Sequence, residues 1–141
     1  MEVTFHKAPD GKHLVAWSAT KGKTRIPGST MGCDPRQLPH DIVTLVVERE
    51  LGVFDGFFGT VEAGGTFRSM AKPRKPAGKA VIAQNRPGLQ RAEHLVHRMW
   101  DDWRAGRESE CSAALDAADQ AWRAVPPGGD LTLTWPGRRR R

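Results

Sequence analysis

The chain has 141 residues and a formal net charge of +6, with 38% hydrophobic and 27% charged residues. This composition excludes a disordered chain, and the lack of a long apolar run excludes a transmembrane helix. The length fits one domain, which we expect over residues 1–137, with a basic tail at 138–141. The first residues lack an export signal, and Cys33 and Cys111 are isolated, so we expect a reduced, cytoplasmic protein.

The first part of the chain predicts a three-stranded β-meander. Apolar and polar residues alternate over residues 3–5 and again over residues 13–18, with the turn sequence Pro9-Asp10-Gly11 between them. A second turn at Lys21-Gly22 leads into a short third strand over residues 24–26. The Gly, Pro, Asp and Ser content that follows, up to position 37, predicts a loop.

A central helix is predicted to begin at Pro39 and to end at Gly52, which suits a left-handed C-terminal residue. Hydrophobic residues cover more than half of its circumference, so we expect burial on several sides. The polar residues form one narrow strip, which consists of His40, Asp41, Thr44 and Glu48. Asp41 is also favoured by the helix dipole, and Glu48 could pair with Arg49 or with a basic strand residue.

Glycines and phenylalanines are interleaved after this helix, over residues 54–67. The fixed arrangement of a phosphate-binding loop is absent, so we expect the aromatic residues to fill the core while the glycines allow tight turns. Residues 60–62 predict a brief strand.

Residues 68–88 predict an exposed, flexible loop, because they contain three prolines and a concentration of positive charge. The basic residues from 68 to 79 and those of the tail are Arg68, Lys72, Arg74, Lys75, Lys79, Arg138, Arg139, Arg140 and Arg141. Without them the rest of the chain is mildly acidic. Two cationic segments on an acidic body are typical of a protein that binds an anionic partner, although they also increase solubility.

Two amphipathic helices and a strand are predicted in the last third of the chain. The first helix begins near Leu89 and ends at Gly106, and the second covers residues 109–125. On the polar face of the first helix, three possible metal ligands lie within about 60° of one another: His94, His97 and Asp101.

Residues 131–135 alternate as a strand that must join an edge of the N-terminal sheet to find hydrogen-bond partners. The whole pattern predicts an α+β fold. We expect a small antiparallel sheet, made of the N-terminal β-meander plus the C-terminal strand, covered on one face by three helices.

One set of short sequences resembles a family of small, functionally uncharacterised bacterial proteins: Leu38-Pro39-His40-Asp41, Val47-Glu48, Gly56, Phe58-Gly59 and Ala63-Gly64-Gly65-Thr66-Phe67. The resemblance extends to Pro127-Gly128-Gly129 and the last strand, so it covers most of the chain, and it brings no activity with it. In the family pattern a second histidine often occupies the position of Thr44, which implies a metal-binding helix. Thr44 is a poor zinc ligand, so that implication does not carry over directly.

Two functional hypotheses follow. The first is a non-enzymatic binding module, without a cofactor, that contacts a nucleic acid or an acidic protein through the basic loop and the arginine tail. No aromatic residue is interleaved with these charges, so base stacking is not supported, and no catalytic set is complete.

The alternative is a metal-binding protein or a metal-dependent hydrolase that uses zinc or another divalent ion. Its ligands would be His40 and Asp41, with Glu48 as general base, joined by His94 and His97 if the two polar helix strips face each other. Only the tertiary structure can bring these strips together.

Overall fold

The computed structural model describes residues 1–10, 14–34, 36–73 and 75–136. Over these residues the chain forms four strands and five helices. In chain order the elements are β1 (Glu2–Lys7), β2 (Leu14–Lys21), β3 (Thr24–Gly32), α1 (His40–Glu50), α2 (Phe57–Glu62), α3 (Pro76–Gln84), α4 (Arg86–Arg104), α5 (Ser112–Ala124) and β4 (Asp130–Thr134). The predicted α+β class is confirmed, whereas the predicted number of three helices is too low.

The four described strands form one antiparallel sheet in the order β3-β2-β1-β4. The predicted meander is present, and β4 pairs with the free edge of β1, with Leu133 opposite Val3, as expected. The predicted length of the third strand is wrong, because β3 continues through Pro27 to Gly32. Pro27 is tolerated because β3 is an edge strand and its register with β2 shifts at this point.

One face of the sheet is buried and the other is open to solvent. Val3, Phe5, Val15 and Trp17 are buried, and the residues that alternate with them are partly or fully exposed. The buried aromatic rings contact α2, whose Phe58 ring lies 5.5 Å from the Trp17 ring, centroid to centroid. The predicted alternation and the covering of one face by helices are therefore confirmed.

Helix α1 is the centre of the core. All its residues from Ile42 to Glu48 are buried, and it packs against α2, α4 and α5. The predicted burial on several sides is confirmed, as is the left-handed conformation of Gly52, whose φ is +66°. Pro39 directly precedes the first helical residue and is not itself helical.

The segment between α1 and α4 differs most from the prediction. Residues 60–62 belong to α2 rather than to a strand, and residues 76–84 form α3 within the predicted loop. Pro76 and Pro87 stand in the first turns of α3 and α4, where the missing N–H group costs no hydrogen bond. Two of the three prolines that indicated a loop therefore stand at the starts of helices.

Candidate functional site

The predicted basic residues lie on the surface wherever the structure describes them. Four side chains are exposed and form no ion pair within the described part of the chain: Arg68, Lys72, Lys75 and Lys79. Arg74 and the tail residues Arg138, Arg139, Arg140 and Arg141 lie outside the described residues. The exposure expected for this region is confirmed for the four described cations.

The basic stretch without acids is longer than the predicted run of basic residues from 68 to 79. Residues 63–92, which we call the cationic segment, contain no aspartate or glutamate. Beyond position 79 they add Arg86, which is exposed, and Arg91, which forms an ion pair with Asp55 at 2.9 Å. Counting acids along the chain, rather than only basic residues, would have revealed the full segment.

The cationic segment is attached to the body of the protein and is not a free loop. The Phe67 ring stacks on the Phe57 ring, with 4.6 Å between the centroids. Met70 is buried, and the backbone N–H of Ala71 donates a hydrogen bond to the carbonyl of Gly28 at 2.8 Å. These contacts anchor the backbone over residues 67–71, next to Arg68 and Lys72, in contrast to the predicted flexible loop.

A shallow cavity of about 380 Å³ links the cationic segment to the sheet. Lys72 and Lys21 both line it, beside the turn at Gly64-Gly65. Gly64 has a φ of +98°, and a Cβ on Gly65 would lie 2.5 Å from the Cγ2 of Thr60, so this turn requires both glycines. Glu62 also lines this depression, and the Nζ of Lys21 donates a hydrogen bond to the backbone carbonyl of Glu62 at 2.9 Å. Two lysines and one glutamate therefore border it.

A second cavity, of about 260 Å³, lies between α1 and α4, and we call it the α1–α4 cavity. Its polar lining residues are His40, Asp41, Thr44, Glu48 and Glu93, and its other lining residues are Phe57, Phe67, Leu89, Ala92 and Val96. The polar strip predicted on α1 thus forms one wall of this cavity.

Glu48 is 1% exposed, and its carboxylate is held by the start of α2. The backbone N–H of Phe57 donates to Oε2 at 2.7 Å, and that of Phe58 donates to Oε1 at 3.0 Å. Burial raises the pKa of Glu48 to about 7, and these two hydrogen bonds oppose the rise. A pairing of Glu48 with Arg49 or with a basic strand residue is therefore wrong.

Gly56 makes this arrangement possible, because a Cβ at that position would lie 2.5 Å from the Oε2 of Glu48. The carboxylate thus satisfies two N–H groups that have no partner within α2. Sequence reasoning missed this contact, since it joins residues that are nine and ten positions apart and belong to different helices.

Asp41 carries the unsatisfied group of the α1–α4 cavity. Its side chain is 12% exposed, and its Oδ1 lies 3.7 Å from the Nδ1 of His40. Its Oδ2 is buried and accepts no hydrogen bond from the described residues. The hydroxyl of Thr44 donates to the carbonyl of His40 at 3.0 Å and so does not serve Asp41. No side chain caps the start of α1 by a hydrogen bond, so Asp41 does not act as a hydrogen-bonding cap.

The second predicted strip does not reach this cavity. His94 and His97 are exposed and do not line it, and Asp101 forms an ion pair with Arg104 at 2.6 Å. Helix α4 instead lines the cavity with Leu89, Ala92, Glu93 and Val96. Within the described ranges no group of three or more His, Cys, Asp and Glu side chains is arranged to hold a metal ion. The metal-binding interpretation stays a prediction, and its two strips do not meet in the cavity.

The chain was also compared with known proteins. No family model matches it, and neither a curated protein nor a solved structure is significantly similar to it. None of the helices that the structure describes is long and apolar enough to cross a membrane. The resemblance to a bacterial family and the cytoplasmic location therefore stay predictions, and function has to be argued from the two sites.

Proposed function

We propose that this protein is a non-enzymatic binding module that contacts the phosphate backbone of a nucleic acid through the cationic segment. The observation that carries the proposal is the absence of acids over residues 63–92, together with exposed cations that form no ion pair with described residues. A cation without an intramolecular counter-charge keeps its full attraction for an external anion. No cofactor is needed for this function.

The attachment of the segment favours binding over a role in solubility alone. Phe67 and Met70 hold the segment against the body, so fewer backbone conformations are lost when a partner binds. Lys75 and Lys79 lie one helical turn apart at the start of α3, and Lys72 shares a depression with Lys21. These positions offer several cations to successive phosphates.

The chemistry of the segment favours contact with phosphates rather than with bases. Its one aromatic residue, Phe67, is stacked on Phe57 and partly buried, so it is not free to stack on a base. Binding should therefore depend little on sequence and should weaken steeply as salt is added. The tail at 138–141 would add to the same attraction.

The test is a salt series of fluorescence-anisotropy titrations with labelled duplex and single-stranded DNA. The first variant combines Lys72→Ala, Lys75→Ala and Lys79→Ala. The matched control removes three cations that already form ion pairs, through Arg104→Ala, Arg107→Ala and Arg123→Ala. Both variants lose the same formal charge, so they differ in where the removed cations lie and in whether those cations form ion pairs.

We expect the first variant to reduce the slope of log K against log salt on duplex DNA by up to about 3, since each lost phosphate contact contributes about 0.9. The control should change the slope little. Equal weakening by both variants, or no binding by the wild type at low salt, would overturn the proposal. Binding to polyglutamate without binding to DNA would identify an acidic protein as the partner and would also overturn it.

A further inference from the structure

The α1–α4 cavity has a charge opposite to that of the cationic segment. Three carboxyl side chains line it, those of Asp41 and Glu48 on α1 and that of Glu93 on α4. His40 also lines it, but no lysine or arginine among the described residues does. The cavity therefore lacks the cations that would attract a phosphate, in contrast to the cationic segment.

Asp41 determines which chemical group would fit. Its buried Oδ2 has no donor among the described residues, and an unsatisfied buried acceptor is unfavourable. Glu48 differs, because the N–H groups of Phe57 and Phe58 already occupy both of its oxygens. Because Oδ2 has almost no accessible surface, a molecule in the cavity would reach the Asp41 carboxylate at the exposed 12% of its side chain. The group that suits this carboxylate is a hydrogen-bond donor.

An apolar surface completes the lining of the cavity. It consists of the stacked rings of Phe57 and Phe67 together with Leu89, Ala92 and Val96. Such a wall favours a hydrocarbon body, and aromatic rings also attract a neighbouring cation. The volume of about 260 Å³ is smaller than that of most drug-sized sites, so the occupant must be small.

We propose that the α1–α4 cavity binds a small organic ammonium compound, whose N–H group donates to the carboxylate of Asp41 while its hydrocarbon body lies against Phe67 and Leu89. This inference is independent of the proposed function, because none of the described lysines and arginines of the cationic segment lines the cavity, although Phe67, Leu89 and Ala92 of that segment do. It also differs from a metal site, since it requires neither His94 nor His97.

The experiment titrates the whole protein with benzylammonium, and with benzyl alcohol and benzoate as uncharged and anionic analogues of the same size. Binding is followed by backbone amide shifts in two-dimensional NMR spectra. We expect benzylammonium to shift the signals of α1 and α4, benzyl alcohol to bind more weakly, and benzoate not to bind.

Two variants test the geometry. Asp41→Asn should weaken benzylammonium binding by at least about tenfold, because an ionic hydrogen bond is lost. Asp101→Asn is the control, since Asp101 does not line the cavity. Leu89→Trp keeps every carboxylate and should abolish binding by filling the cavity, and its NMR spectrum reports whether the fold is intact. Equal binding of benzylammonium and benzyl alcohol, absence of benzylammonium binding, or equal effects of the two aspartate variants would overturn the proposal.

Discussion

Replacement of Glu48 by glutamine should remove a pH dependence from the stability of this protein. Burial raises the pKa of Glu48 from its ordinary value of 4.5 to about 7 in the folded state. The folded protein therefore keeps a proton that the unfolded chain releases. The resulting stabilisation is fully present below the unfolded pKa and is lost as the pH rises through the folded pKa.

The size of the effect follows from the two pKa values. Between about pH 5 and about pH 8, the contribution of Glu48 to the free energy of unfolding should fall by roughly 2–3 kcal/mol. Glutamine does not titrate, so its variant lacks this fall. The amide NH₂ group of glutamine cannot accept a hydrogen bond from the N–H of Phe57 or Phe58. The variant should therefore lose roughly 1–3 kcal/mol of the free energy of unfolding at every pH.

Urea unfolding followed by tryptophan fluorescence measures the difference, because the chain has 5 Trp and no Tyr. The wild type should exceed Glu48→Gln in stability at about pH 5, and this advantage should shrink by roughly 2–3 kcal/mol at about pH 8. Glu50→Gln on the same helix is the control, since that side chain is 38% exposed. An equal stability difference between wild type and Glu48→Gln at both pH values would refute the argument.

The other stability predictions concern close packing and are checked by the same urea unfolding. Gly59→Ala should prevent or severely weaken folding, because the added Cβ would lie 1.8 Å from the carbonyl oxygen of Phe54. Gly22→Ala should lower the free energy of unfolding by only roughly 1 kcal/mol, because its Cβ meets no neighbour and only the backbone φ of +60° is strained. Equal losses in these two variants would contradict the packing argument. Phe58→Ala should lower the free energy of unfolding by about 3–5 kcal/mol, since the ring is fully buried against other aromatic rings, and a loss below about 1 kcal/mol would contradict this.

Local periodicity was sufficient to predict the long elements of this fold. The alternation around Val3 and Trp17 indicated strands with one buried face. Apolar residues that recur every three to four positions indicated α1, α4 and α5. Each pattern extends over enough residues to select one geometry. Short elements do not, and α2, with 6 residues, was therefore missed.

Proline and glycine misled the prediction in the two places where tertiary contacts decide their meaning. Pro27 and Gly28 indicated the end of a strand, but β3 continues past them, because Pro27 lies on an edge strand at a shift in register. Gly28 is needed there, because Trp17 of β2 leaves no room for a Cβ. Pro76 and Pro87 indicated a loop, but each stands in the first turn of a helix. The same residue can end one element or begin another, and only its neighbours in space distinguish the two cases.

For the candidate sites, the sequence by itself determined which residues share a face and where the positive charge lies. The strip from His40 to Glu48 follows from the helical repeat alone, and so does its polar character. Which residues face that strip depended on how α1 and α4 pack. Burial of Ala92, Val96 and Met99 leaves His94 and His97 in solvent, away from the α1–α4 cavity. The partners of Glu48 and the unpaired oxygen of Asp41 likewise arise only in the tertiary structure, because they depend on groups that the chain brings together from different helices.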